Sequence, residues 1–521
     1  MAWYNVFGSK KEVRKAIPLI KRSFKGAAGG RLFADFFSSS ASADQELKQA
    51  LVTLRNRSRE LSRNDAYVSR YLNLLTSNVV GASGIRVNSK ARDADGTLDQ
   101  VANTIIESAW KKFSKKGNCT ADGQQSMIDC QKMFIEALAR DGEVLVRQIT
   151  DPASEFGYRI EFLEADHLID TKNETFTNGN RIVMGVEIDA RRKPVAYHLY
   201  KNHPNDLGTG QSNETIRVPA DEVIHAFIRQ RPEQTRGYPF VASVMSNIKI
   251  HAFIRQRPEQ TRGYPFVASV MSNIKMLNGY YEAEIVAARV SSAKMGFFTT
   301  PAGDGYVGDD LQDDYTPISN AEAGVFEQLP AGMDFKPFDP AHPTTAFDSF
   351  STAVLRSIAS GLNISYHSLS NDLSSVNYSS LRAGSLEDRD QYRMLQKFMV
   401  EHFVEPVFRS WLKNAMTKSM NLPIQKYDKF ADGVSFIPRS WGWVDPQREM
   451  NAHIAGLQNG IVTYQDIEAS YGRDVEELFE QHDREQKLAE QYNIKTAFQP
   501  FGAKLPTAAE VQGVIPDDGS D

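Results

Sequence analysis

Five arginines, Arg55, Arg57, Arg59, Arg63 and Arg70, fall within sixteen residues of one another. Clustered guanidinium groups neutralise phosphate, so nucleic acid is the first partner this comb suggests. A solvated helix face accounts for such a charge run as well. The whole chain argues against coating nucleic acid by bulk charge, because its 521 residues carry a formal net charge of -5. Asp304, Asp309, Asp310, Asp313 and Asp314 offer oxygens to a hard cation. Their spacing is not that of a calcium-binding helix-loop-helix, and a solvated acidic loop explains them better. Asp141-Gly142-Glu143 looks like a carboxylate pair, yet a turn leading into a strand is the simpler reading.

The usual frameworks of catalysis are missing. No Gly-x-x-x-x-Gly-Lys-Ser/Thr loop is present to cradle ATP, and the glycines between Gly26 and Gly30 lack a strand-to-helix setting. None of the ten histidines forms His-Glu-x-x-His, and there is no Gly-x-Ser-x-Gly elbow. Cys119 and Cys130 fit neither a redox pair nor a zinc site and read as inert thiols. We therefore expect no catalytic residues, no metal and no cofactor. With 41% hydrophobic and 24% charged residues the composition is that of a globular protein, large enough for about three domain-sized units. No run of about 18 apolar residues predicts a membrane span, and the charged N-terminal stretch does not read as a secretory signal.

The elements that position these residues are partly legible. Residues 1–46 read as a flexible arm, with Gly26, Gly29 and Gly30 ahead of a serine-rich run. Val68, Tyr71, Leu72, Leu75 and Val79 repeat along one face of a helix that Ser62 or Asn64 caps and a left-handed Gly81 ends. Ile85, Arg86 and Val87 alternate like a strand. Leu98, Val101, Ile105, Ile106, Trp110 and Phe113 mark a second amphipathic helix, and 127–140 a third. Strands follow at 143–149, 159–163, 183–188, 195–200, 216–218 and 223–227, which predicts an α+β fold. Farther on we expect helices over 266–291 and 345–362, strands at 295–299 and 324–328, and a polar loop over 365–378. A long helix over 379–418, kinked at Pro406, follows, and 446–491 is helical with breaks at Gly460 and Gly472.

One feature fits no regular architecture. Residues 224–249, IHAFIRQRPEQTRGYPFVASVMSNIK, recur without a single change as residues 250–275. Structural repeats drift and come in several copies. Two identical copies read as a recent in-frame duplication or a sequence error, and either copy is the surplus one.

The order of several blocks carries a resemblance. The spaced arginines, Leu-x-Arg-Asn-x-x-Tyr and Val-Val-Gly-x-x-Gly-Ile come first, followed by Asp141-Gly142-Glu143-Val144-Leu145-Val146 and Thr261-Arg262-Gly263-Tyr264-Pro265-Phe266. Then come Ala359-Ser360-Gly361-Leu362-Asn363-Ile364-Ser365-Tyr366, Asn377-Tyr378-Ser379-Ser380-Leu381-Arg382-Ala383 and Trp441-Gly442-Trp443-Val444-Asp445-Pro446. From about residue 54 to 491 the chain resembles the lambda-type bacteriophage portal proteins, which form the ring at one capsid vertex through which DNA enters and leaves. The resemblance implies a wing over 47–227, a stem segment and first stem helix over 228–291, a clip over 292–344 and a second stem helix over 345–364. It further implies a tunnel loop over 365–378, a long helix returning to the wing over 379–440, a helical crown over 441–495 and a disordered tail over 496–521. It implies a homo-oligomeric ring of about twelve copies in the virion, assembled in the bacterial host cytoplasm. Its implied partners are double-stranded DNA, the terminase motor, the major capsid and scaffold proteins, and head-completion or tail proteins, with no membrane. Ser368, Ser370, Asn371, Asp372, Ser374, Ser375 and Asn377 would face DNA in the tunnel loop. The five arginines would then lie at subunit interfaces or on the outer surface and not in the channel. A soluble DNA-processing enzyme with a dispersed site, or another structural or scaffold protein of the virion, is the alternative.

Overall fold

The computed structural model describes residues 43–206, 214–228, 267, 270–292, 296–299, 334–337, 347–374, 377–441, 446–471 and 475–493. The arginine comb lies on a helix of its own, α1 (Ala43–Asn64). Asp65, rather than Ser62 or Asn64, caps the apolar helix α2 (Ala66–Leu75), accepting a hydrogen bond of 2.8 Å from the Val68 amide. A carboxylate acceptor at that position suits the exposed first-turn amides. The expected face is buried through Val68, Tyr71, Leu72 and Leu75, and a single π-helical turn, Thr76–Val80, carries it on to Val79. Gly81 ends the element at φ 71° and ψ -164°, outside the left-handed helical region expected for it and in one that essentially only glycine occupies.

After β1 (Arg86–Ser89), Asp99 caps α3 (Gln100–Phe113). Leu98 therefore precedes the helix, and Val101 faces solvent rather than the core. Ser126 and Asp129 form a reciprocal cap on α4 (Met127–Asp141). The strands β2 (Val144–Thr150), β3 (Tyr158–Leu163), β4 (Glu174–Thr175), β5 (Arg181–Val183), β6 (Val186–Ile188), β7 (Pro194–Tyr200), β8 (Thr215–Pro219) and β9 (Val223–Ala226) make two antiparallel sheets. One has the order β3-β2-β9 and the other is the meander β4-β5-β6-β7-β8. The single strand expected over 183–188 is a hairpin, because Met184 and Gly185 both take positive φ, of 46° and 82°. A Cβ on Gly185 would lie 2.6 Å from the Ile169 carbonyl oxygen, so only glycine fits that turn.

Within the meander, Arg217 grips Glu187 with two hydrogen bonds of 2.8 and 3.1 Å, and the ring of His198 lies 3.2 Å from the same carboxylate. Hydrogen bonding from Arg217 is the main cause that holds Glu187 near about 2, below its ordinary 4.5. Burial, the larger influence, lowers the His198 pKa. A depressed carboxylate stabilises the fold fully above the unfolded value and loses that contribution as pH falls through the folded one. Protonation of a histidine buried neutral acts in the same direction. The meander is thus expected to lose hydrogen-exchange protection, corrected for intrinsic rates, between about pH 4.5 and 2. Arg217→Ala should move that loss to higher pH, and an unchanged profile in this variant would refute the assignment.

Beginning inside the second copy, α5 (Met271–Ser292) is followed by the paired strands β10 (Gly296–Thr299) and β11 (Asp334–Pro337), and by α6 (Phe347–Gly361). The strand expected at 324–328 and the aspartates from Asp304 to Asp314 lie outside the described residues. Asn273 reaches Ser357 while Tyr280 and Tyr281 meet Phe347, so α5 and α6 run antiparallel. The loop expected over 365–378 contains a short helix, α7 (Tyr366–Ser370). The long helix divides into α8 (Tyr378–Met399) and α9 (Glu405–Lys418), joined by a π-helical turn, Val400–Val404. Pro406 at the start of α9 has no N–H to donate backwards, and the wider turn absorbs that loss. Then come α10 (Tyr427–Asp432), β12 (Val434–Ile437), which pairs antiparallel with β1, and the helices α11 (Pro446–Gln458), α12 (Tyr464–Ser470) and α13 (Val475–Gln491).

Helices and antiparallel sheets are segregated along the chain in this α+β fold. Its main core is aromatic where α3, α4, β3 and α9 meet. Trp110 and Trp411 cross edge to face at 5.0 Å, and Phe134 stacks on Phe403 at 4.9 Å. Such pairs add about 0.5–1.5 kcal/mol each to the area they bury. Cys119 and Cys130 are buried and free. Hydrogen bonding with Cys119, then burial, pushes the Cys130 thiol up, which keeps it unreactive.

Candidate functional site

Two polar constellations stand out, and both begin in the arginine comb. The first is internal. Arg55 is 2% exposed, and its guanidinium lies 3.7 Å from Glu143 and 3.3 Å from Asp166. Arg59 donates to Asp141 at 2.7 Å and lies 2.6 Å from Asp166 and 3.4 Å from Glu164. Glu143, wholly buried, also has His225 of β9 at 3.1 Å. Burial works against the Arg59 charge, but Asp141 and then Asp166 outweigh it and raise its pKa. Burial likewise works against the Asp166 charge, and Arg55 and Arg59 reverse it, leaving its pKa lowered.

The Asp141-Gly142-Glu143 turn therefore serves as a clamp for α1, with both carboxylates engaged in ion pairs. Gly142 supplies the left-handed turn, φ 87°, that sends the two carboxylates to two arginines. Glu164, Asp166 and His203 have the separation of metal ligands. The Arg59 guanidinium already lies against both carboxylates, so the positive charge they require is in place and the cluster is an ion-pair network. Arg55 and Arg59 thus have a different place from the surface expected for them. Their partners come from the α4–β2 turn and the segment after β3. Arg57, Arg63 and Arg70 are the exposed members of the comb.

The second constellation is the segment expected to face DNA. Asp388 of α8, 4% exposed, accepts from the Ser365 amide at 2.7 Å, the Ser365 hydroxyl at 2.8 Å and the Ser368 hydroxyl at 2.6 Å. Leu369 is buried beneath it. Arg70 of α2 donates to the Ser368 carbonyl at 3.0 Å and to Asn371 at 3.4 Å. Asn371 ends α7 in the left-handed conformation, φ 57°.

Asp372 then accepts from the Ser374 hydroxyl and amide and from the Tyr366 hydroxyl, at 2.6, 2.9 and 2.9 Å. These bonds, Ser374 first, hold its carboxyl near about 2, so it is charged at neutral pH. Ser370 bonds back to the Tyr366 carbonyl, and Asn377 caps α8 by accepting from the Ser380 amide. Ser375 lies outside the described residues.

Of the expected positions, Asn371, Ser374 and Asn377 are exposed, while Ser368, Ser370 and Asp372 are half-buried and hold the turn's shape. Sequence reasoning passed over Leu373, which is 57% exposed at the tip, and Asp388, which pins the turn. The result is a short ordered turn whose described residues include one anion, Asp372, and no lysine.

Sequence comparison decides the family. The profile described as phage portal protein, lambda family, matches residues 29–249 and 250–396, two stretches that meet at the junction of the identical copies. The chain belongs to the lambda family of phage portal proteins. It is 34% identical over 514 residues to the "Probable portal protein" of Halomonas phage phiHAP-1, spanning 97% of this chain and 93% of that one. It is 23% identical over 493 residues to "Portal protein B" of Escherichia phage lambda, spanning 88% of each. Among solved structures, the neck of an empty gene transfer agent particle aligns with a TM-score of 0.42 at 12% identity, over 82% of this chain and 94% of that chain. This portal protein is accordingly a structural component of a phage particle and not an enzyme. Among the described residues no helix is long and apolar enough to cross a membrane.

Proposed function

We propose that this portal protein closes into a ring, of twelve copies, around a channel that passes double-stranded DNA during packaging and ejection. The observation that carries the ring is the exposed apolar surface of the α5–α6 pair. Met276, Ile285, Val286 and Phe350 are each at least half exposed there on two adjacent helices. Met276 and Ile285 lie on opposite sides of α5, so the pair offers apolar surface on more than one side, and burial of that surface against neighbours stabilises a subunit that has another copy on each flank, as in a ring.

In this reading α5 and α6 form the stem, β10 and β11 belong to the clip, and α11 to α13 form the crown. The turn over 366–374 faces DNA. Arg57, Arg63 and Arg70 lie towards neighbouring subunits or the outer surface, with Arg70 also bracing the turn from behind. The terminase motor docks on the assembled ring and is later replaced by head-completion or tail proteins, while capsid and scaffold proteins surround it in the host cytoplasm. ATP chemistry belongs to the motor, and the portal supplies a smooth passage.

Electron microscopy of the purified protein should show rings with a central hole of about duplex width; a uniform monomer would sink the reading. Arg57→Glu with Arg63→Glu should cut ring yield by roughly tenfold, since misplaced like charges across an interface cost several kcal/mol. Rings that form normally in that variant would remove these arginines from the interface.

A further inference from the structure

The duplicated segment offers the fold two identical occupants for one place. Strand β9 lies at the edge of its sheet against β2, with Arg147 opposite Val223, Leu145 opposite His225, Val146 opposite Ile224 and Val144 opposite Ala226. Its side chains alternate between two cores. Ile224 and Ala226 join the main aromatic core, whereas Val223 joins Leu145, Val186, Tyr197, Leu199 and Val218 beneath the meander. His225 meets Glu143 at 3.1 Å and the Tyr197 ring at 5.4 Å. All five residues from Ile224 to Ile228 recur unchanged at Ile250, His251, Ala252, Phe253 and Ile254. Within the four positions of the ladder to β2 only the first differs, Val223 in one place and Lys249 in the other.

The helical half of the repeat is used from the other copy. Val267, Val270, Met271 and Ile274 are buried at the start of α5, and Leu277 extends the same face. In the first copy the equivalent positions are Val241, Val244, Met245 and Ile248, but the counterpart of Leu277 is His251. The fold thus takes its strand from copy one and its helix from copy two. That leaves 38 residues, 229–266, between them, where a single copy would leave 12.

We propose that the strand position beside β2 is a two-occupant site, for which residues 250–254 are the second occupant, and that Val223 against Lys249 sets the choice. Pairing copy two would put the ammonium of Lys249 beside Arg147 and into the apolar cluster that Val223 fills. A buried cation next to another cation is strongly disfavoured. Within the ladder to β2 no other position opposes the exchange. It moves the surplus 26 residues from the connection after the strand to the one before it, and closure entropy changes slowly with loop length.

Hydrogen-exchange mass spectrometry of the full chain tests this, because peptides from the two copies differ in what precedes them. In the natural chain the amides of 224–226 should exchange at least about 100-fold more slowly than those of 250–252. The double variant Val223→Lys, Lys249→Val should reverse that order. Protection that stays on 224–226 in the double variant, or equal protection in the natural chain, overturns the proposal. The single-copy chain lacking residues 229–254 is the control and should fold with 224–226 protected; if it does not fold, the surplus segment is required and the proposal fails. A double variant that unfolds while this control folds also overturns it, since the second occupant then cannot serve.

Discussion

Arg55→Ala is expected to lower the stability of this portal protein by about 3–5 kcal/mol, the range for removing one partner of a buried ion pair. Arg55 is among the largest fully buried side chains in the molecule, and Glu143 opposite it is wholly enclosed. The alanine variant takes the Arg55 guanidinium away from that buried carboxylate and opens a cavity along the side of α1. It also removes the leading influence that holds Asp166 below the ordinary carboxylate value of 3.8. The stability Asp166 contributes is present above that value and lost as pH falls, so in the variant the loss begins at higher pH.

Arg57→Ala, two residues along the same helix but exposed, should change stability by no more than about 0.5 kcal/mol. Urea denaturation of both variants across pH makes the comparison. Arg55→Ala within about 1 kcal/mol of the natural chain would mean that packing around α1, and not the ion pair, holds the helix in place.

The contrast between these two arginines shows what sequence can and cannot disclose. Apolar periodicity located α2 correctly, since Val68, Tyr71, Leu72 and Leu75 are all buried, because the helical repeat is a local property. The family resemblance placed all five arginines at subunit interfaces or on the outer surface, whereas the residues that bury Arg55 and Arg59 are distant in the chain; Asp141 is 82 residues from Arg59. Nothing in the spacing of the comb encodes such a partner. The hairpin at Met184–Gly185 was missed for a different reason. Apolar residues continue through it without a break, and the one sign of a turn was a glycine inside a strand pattern. In the candidate DNA-facing turn the polar residues were legible as a group. The division between those that project and those that fold back was not, because Asp388 sits 23 residues beyond Ser365 on another helix.

Asp388 therefore offers the sharpest test of that turn. Asp388→Ala removes the acceptor for three hydrogen bonds, from the Ser365 amide and hydroxyl and the Ser368 hydroxyl. Bonds to a charged group contribute about 1.5–3 kcal/mol each and are not additive, so a local loss of about 3 kcal/mol is reasonable. That exceeds what an isolated helix of five residues can supply from its own turns. Helix α7 should melt while the aromatic core, to which Asp388 does not belong, stays intact.

Amide exchange over 366–374 should accelerate by roughly 100-fold, the factor that about 3 kcal/mol implies. Ring assembly should be unchanged, because Asp388 is buried within one subunit. If the turn faces DNA, its melting replaces a defined projection with a slack one at every subunit, and rings that assemble normally should package or retain DNA at least about tenfold less well. Asp388→Asn, which keeps an acceptor but gives up the charge, should fall between. Full protection of α7 in the alanine variant would show that Leu369 and Arg70 hold the turn without Asp388. A melted α7 with normal packaging and retention would place the channel contact elsewhere on the chain.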